Sequence, residues 1–125
     1  TGTSIATTFF ITAGFFGFMS VYGLVTKTDL TSLRTILFMG LVGLIIASII
    51  NMFLNNNTLY WIISYVGVAV FLGLTAYDTQ KIKNIHASYA GTEKERNVAI
   101  VGALTLYLDF VNLFLFILRI LGRRR

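Results

Sequence analysis

Two carboxylates lie where a carboxylate is costly. Asp109 has apolar residues on both sides within a long apolar stretch, and Asp78 closes another such stretch at Tyr77. At bilayer depth an acidic side chain costs about 2.5–3.5 kcal/mol on insertion scales, so its presence demands a partner or a task. No basic residue stands within one helical turn of Asp109, whereas Lys81 follows Asp78 by three positions. Polar side chains share the helical face of each: Thr75 before Asp78, and Thr105 and Asn112 around Asp109. These could hydrogen-bond the carboxyls without cancelling their charge. If the two acids meet, they cannot easily both ionise, and one proton would be shared between them. Such a pair is a pH sensor or a cation ligand, because hard cations such as Ca²⁺ prefer carboxylate oxygens. From the residues alone the structural alternatives stay open: Asp78 reaching the interface or pairing with Lys81, and Asp109 satisfied within the protein.

Other chemistry is sparse. The chain has no Cys, which removes disulfides, thiolate metal sites and Cys nucleophiles. No Ser/His/Asp set, zinc-ligand spacing or Gly-rich phosphate loop is present, so neither an enzyme nor a bound cofactor is indicated. His86, Glu93 and Glu95, with Lys94 and Arg96 between and beside them, read as a solvated surface.

The elements that must position the two acids are membrane helices. Of 125 residues 56% are hydrophobic and 12% charged, with a mean hydropathy of +0.79. A soluble domain of this size needs more polar surface than that. Period-two alternation over strand-length segments is absent, which excludes a β-barrel. Four apolar blocks predict an all-α membrane protein, a bundle of four transmembrane helices at 5–25, 35–54, 58–82 and 97–121, forming a single transmembrane domain over 1–125. The first block is 21 residues, or about 31 Å as a helix, enough to span. The Asn55-Asn56-Asn57 turn predicts an antiparallel hairpin, and Tyr60 and Trp61 are placed as interfacial anchors. Residues 84–96 read as a polar surface loop. Small residues four apart (Ala13 and Gly17, Gly43 and Ala47, Ala69 and Gly73) predict close helix packing.

The net charge of +5 comes from Lys and Arg at the ends of apolar blocks. That pattern contacts headgroups and sets orientation, and it gives no nucleic-acid surface. Six basic residues (Lys27, Arg34, Lys81, Lys83, Lys94 and Arg96) fall on one side and four on the other, Arg119 and the terminal Arg123 to Arg125. The balance favours a cytoplasmic 81–96 segment with a fully spanning last helix. A re-entrant last helix would put all ten inside. The chain begins with Thr and has no basic leader, so it is expected to be the carboxy-terminal part of something longer.

Two runs carry a resemblance. Gly73-Leu74-Thr75-Ala76-Tyr77-Asp78-Thr79-Gln80-Lys81-Ile82 resembles the penultimate helix of the Bax inhibitor family. Ala103-Leu104-Thr105-Leu106-Tyr107-Leu108-Asp109-Phe110-Val111-Asn112-Leu113-Phe114 resembles its last helix. They occur in the family's order, and the flavour is bacterial. The resemblance implies a seven-helix fold with a central last helix, of which this chain would be the last four. It also implies a pH-sensitive calcium-leak channel of the bacterial plasma (inner) membrane, with Asp78 and Asp109 as the paired sensor. Ca²⁺ and protons are then the partners, Ca²⁺ as the transported ion. The alternative is a membrane-embedded interaction protein that modulates a quality-control protease or a stress or cell-death response through a membrane protein partner.

Overall fold

A computed structural model describes residues 2–123; Arg124 and Arg125, counted above for orientation, lie outside them. Among the described residues there are four long helices and no strand: α1 (Gly2–Val25), α2 (Arg34–Leu54), α3 (Asn57–Tyr89) and α4 (Glu95–Arg123), with a 3-10 turn at Leu30–Leu33. All four are long and apolar enough to cross a membrane. Large apolar side chains point outward, Phe10 at 73% exposure, Phe18 at 70% and Phe53 at 84%, an arrangement that lipid tolerates and water does not. The protein is an all-α membrane protein.

The helix ends follow local chemistry. At the α2–α3 turn Asn55 takes a left-handed conformation (φ 51°), and the Asn56 side chain accepts from the backbone N–H of Leu59 at 2.9 Å, capping α3. The expected 84–96 loop is corrected: α3 continues to Tyr89, seven residues past the expected end at 82. Residues 84–89 contain no Gly or Pro, so nothing stops the helix before Gly91, at φ 83°. The chain turns over Gly91 to Glu95, held by short-range side-chain-to-backbone bonds. Thr92 Oγ1 accepts from the Lys94 N–H at 3.3 Å, and the Glu95 carboxylate accepts from the Gly91 N–H at 3.2 Å. The last helix begins at Glu95 and runs 29 residues, long and apolar enough to cross a membrane.

Among these helices α3 is the hub. It packs against α1, α2 and α4, while α4 packs against α3 and α1. A central last helix, implied by the resemblance, is not what these four helices show by themselves. Phe71 of α3 meets Leu113 and Ile117 of α4 in the main core cluster, with Phe16, Leu41 and Phe116 around it. Edge-to-face contacts of Phe110 with Phe9 and Phe16 join α4 to α1, with centroids 5.7 and 5.2 Å apart. At the far end Arg119 lies over the rings of Tyr60 (4.3 Å) and Phe116 (5.4 Å).

Two of the small-residue pairs do not pack as expected. Gly17 and Gly43 face open space, with nothing within 4 Å of where a Cβ would stand. The close approaches are elsewhere: a Cβ on Gly23 would run into the backbone carbonyl of Ala76, and one on Gly67 into the Phe116 ring.

The α1–α2 link is held by Gln80, a residue with no signal in the sequence beyond its polarity. Its Nε2 donates to Thr28 O at 2.9 Å and its Oε1 accepts from the Leu30 N–H at 2.9 Å. Beside it, Lys83 Nζ donates to Leu24 O at 2.8 Å and caps the last turn of α1. Three outcomes follow, all read as melting of the purified protein in detergent. Gly23→Ala should lose about 1–3 kcal/mol because backbone cannot yield. Gly43→Ala should be neutral or gain up to about 1 kcal/mol. Gln80→Leu should lose about 1–3 kcal/mol by leaving the buried Leu30 N–H unpaired and releasing the Thr28 carbonyl, and protease cleavage within 26–33 should rise with it.

Candidate functional site

The α3–α4 turn sets the register of the two acids. Ile82 and Gly102 are level, since a Cβ on Gly102 would stand 2.9 Å from Ile82 Cγ2. From the turn, Asp78 lies 89 − 78 = 11 residues up α3 and Asp109 lies 109 − 95 = 14 residues along α4. The offset is three residues, about 4.5 Å, rather than the two turns that a long loop would leave. Extension of α3 to Tyr89 and the start of α4 at Glu95 bring the two acids to nearly the same depth. Side-chain direction closes the rest. Cβ bonds lean toward each helix's own N-terminus, so in an antiparallel pair Asp78 leans inward and Asp109 leans back outward, each toward the other. Their carboxyls come within hydrogen-bonding reach.

Burial makes this contact consequential. Asp109 is 6% exposed, Asp78 is half-buried, and Asp109 Oδ2 is buried with no hydrogen-bond partner among the described residues. Two ionised carboxylates are acceptors only, so the contact is favourable when a proton sits between them. The alternative partner for Asp78 is not used: Lys81 Nζ sits over the Tyr77 ring, 6.0 Å from its centroid, and no described ion pair involves either Asp.

The three supporting polar residues are placed differently from expectation. Thr75 Oγ1 donates to Phe71 O at 2.7 Å, Thr105 Oγ1 to Val101 O at 2.9 Å, and Asn112 Nδ2 to Leu108 O at 2.9 Å. Each donates to a carbonyl four residues back on its own helix, the partner closest to hand where water is excluded. None is seen donating to a carboxyl. Asn112 nonetheless lines the same groove as both acids. His86 is not simply solvated: its Nε2 lies 3.3 Å from Glu95 Oε2 across the α3–α4 turn.

The groove lies between α2 and α4 over α3 and has a volume of about 730 Å³. Asp78, Asp109 and Asn112 are its polar floor, Leu41, Leu44 and Phe71 are part of its apolar wall, and Arg34 and Lys81 stand on its lining. Arg34 was legible only as a headgroup residue, because its approach to the acids depends on how α2 packs. No cluster of three or more His, Cys, Asp or Glu occurs among the described residues. Two carboxylates fall short of the six to eight oxygens of a resident Ca²⁺ site, but they suit a cation in passage.

Comparison with known proteins agrees with this architecture. The profile of the family described as "Inhibitor of apoptosis-promoting Bax1" matches residues 1–125. Inner membrane protein YbhL of Escherichia coli (strain K12) is 54% identical over 127 residues, covering 100% of this chain and 54% of that protein. A Rickettsia prowazekii protein is 52% identical over 125 residues, covering 100% of this chain and 53% of its own length. A membrane protein of Streptococcus pyogenes serotype M3 is 40% identical over 121 residues, covering 97% of this chain and 52% of its own. The chain thus spans about half the length of the curated relatives it matches. Matched from end to end by the family profile, and sharing over half its positions with YbhL, this four-helix chain belongs to the Bax inhibitor family.

Proposed function

We propose that the protein forms a pH-sensitive calcium-leak pathway in the bacterial inner membrane, gated by protonation of Asp78 and Asp109. The observation that carries this reading is the contact of two carboxyls at the buried α3–α4 seam, one oxygen of which has no donor. With a proton between them the carboxyls tie α3 to α4. When the proton leaves, two like charges face each other in a poorly solvated setting and push the helices apart. The groove beside them then offers carboxylate oxygens to a hard cation. The inner-membrane assignment comes from the name of the Escherichia coli relative.

A second reading is favoured by the family's description as an inhibitor of an apoptosis-promoting protein. There the protein acts through a membrane protein partner in a quality-control or stress response, and the acids are structural.

Ca²⁺ flux into liposomes holding the full-length protein, measured from about pH 5 to 8, separates the two. The leak reading expects pH-dependent flux that Asp78→Asn and Asp109→Asn each flatten. Liposomes that stay tight at every pH with folded protein would leave the interaction reading. Asp29 does not confound the window. The Thr31 backbone N–H holds its exposed carboxyl below the usual range. Its contribution is therefore present above the unfolded value of about 4 and is lost only as pH falls through the lower folded value.

A further inference from the structure

A second cavity, of about 380 Å³, opens between the outer end of α3 and the start of α4. Its deep end is at Asp78 and Thr105 and its outer end at Tyr89 and Lys94. That is 89 − 78 = 11 residues along α3, about 16 Å. The apolar stretch of α3 ends at Tyr77, so the cavity straddles the level where hydrocarbon gives way to headgroups.

Its lining is divided by chemistry. Lys81, Lys94 and Asn97 supply two ammonium groups and an amide, while Ile85, Val98 and Val101 supply an apolar wall. Neither lysine is within ion-pair distance of a carboxylate among the described residues, although Glu95 is close by, engaged with His86. Lys83, by contrast, is committed to the end of α1. The same end of the bundle carries Lys27, Arg34 and Arg96, against the exposed acids Asp29 and Glu93 and the half-buried Glu95. Two cations without a carboxylate partner, Lys81 lying only over the Tyr77 ring, stand over an apolar cleft at interface depth and match a phosphate ester attached to an acyl chain.

We propose that this α3–α4 mouth is a binding site for an anionic phospholipid, with its phosphate on Lys81 and Lys94 and an acyl chain against Ile85, Val98 and Val101. The assignment is independent of what Asp78 and Asp109 do. It follows from the cavity and its lysines, and the headgroup lies at the cationic mouth, away from the Asp78 end.

The test uses full-length protein in detergent titrated with phosphatidylglycerol or phosphatidylcholine, with retained lipid counted by native mass spectrometry. The parent should prefer phosphatidylglycerol by about tenfold or more, the scale expected of two lysines at a membrane surface. K81Q/K94Q should abolish that preference, and V98F, which fills the cavity and keeps every charge, should abolish it too. K27Q/R96Q removes the same charge from the same end outside the cavity and should keep it. Equal loss in K27Q/R96Q would mean diffuse surface charge and overturn the site. Survival of the preference in either cavity variant overturns it as well. Displacement of phosphatidylglycerol by an excess of inorganic phosphate would reassign the lysines to free phosphate and sink the lipid assignment. Should K81Q/K94Q not yield folded protein, K94Q alone takes its place, with a partial loss expected and an unchanged preference counting against the site.

Discussion

A carboxyl group inside a membrane protein must find a donor, an opposite charge or a proton, and the polar side chains nearest the two acids on their own helices are directed elsewhere. Thr75, Thr105 and Asn112 each bond backward to their own helix, and Lys81 lies over Tyr77. Asp109 meets Asp78 instead, in a groove that Arg34 also lines. The remainder of the structure can be understood as the machinery that brings these two groups together: a short α3–α4 turn, a register fixed by Gly102 against Ile82, and Cβ directions that lean each acid toward the other.

That machinery requires α3 to be long. At 33 residues, about 50 Å, it outreaches the hydrocarbon layer and carries its last turns to the headgroup level. There Gln80 and Lys83 fasten the α1–α2 link and the end of α1 to it. The hub helix thereby couples three elements at one end of the bundle: the link, the start of α4 and the acid pair. Deeper in the bundle Phe71, Leu113 and Ile117 pack α4 against α3 and would oppose a displacement of the two helices.

Much of this was legible in the sequence because membrane insertion acts on composition. Four apolar blocks gave four helices, and the Asn triplet gave the α2–α3 turn. The two acids were conspicuous because their surroundings made them costly. The end of α3 lies beyond the apolar stretch because polarity alone does not stop a helix and residues 84–89 lack a breaker. The clamp by Gln80 joins residues 50 apart in sequence, and the place of Arg34 on the acids' groove depends on how α2 packs, neither of which a local pattern encodes. The polar neighbours were assigned to the carboxyls by face alone. Backbone carbonyls four residues back proved the nearer partners.

The central claim is that Asp78 and Asp109 act as one unit, and a double-mutant cycle tests it most directly. Calcium flux against pH would be compared for the full-length parent, Asp78→Asn, Asp109→Asn and the double variant in the same liposomes. If one proton serves both residues, the double variant should behave like either single one, because removing either partner already removes the unit. Effects that add, each substitution abolishing its own separate step in the pH profile, would show two independent groups and contradict the account.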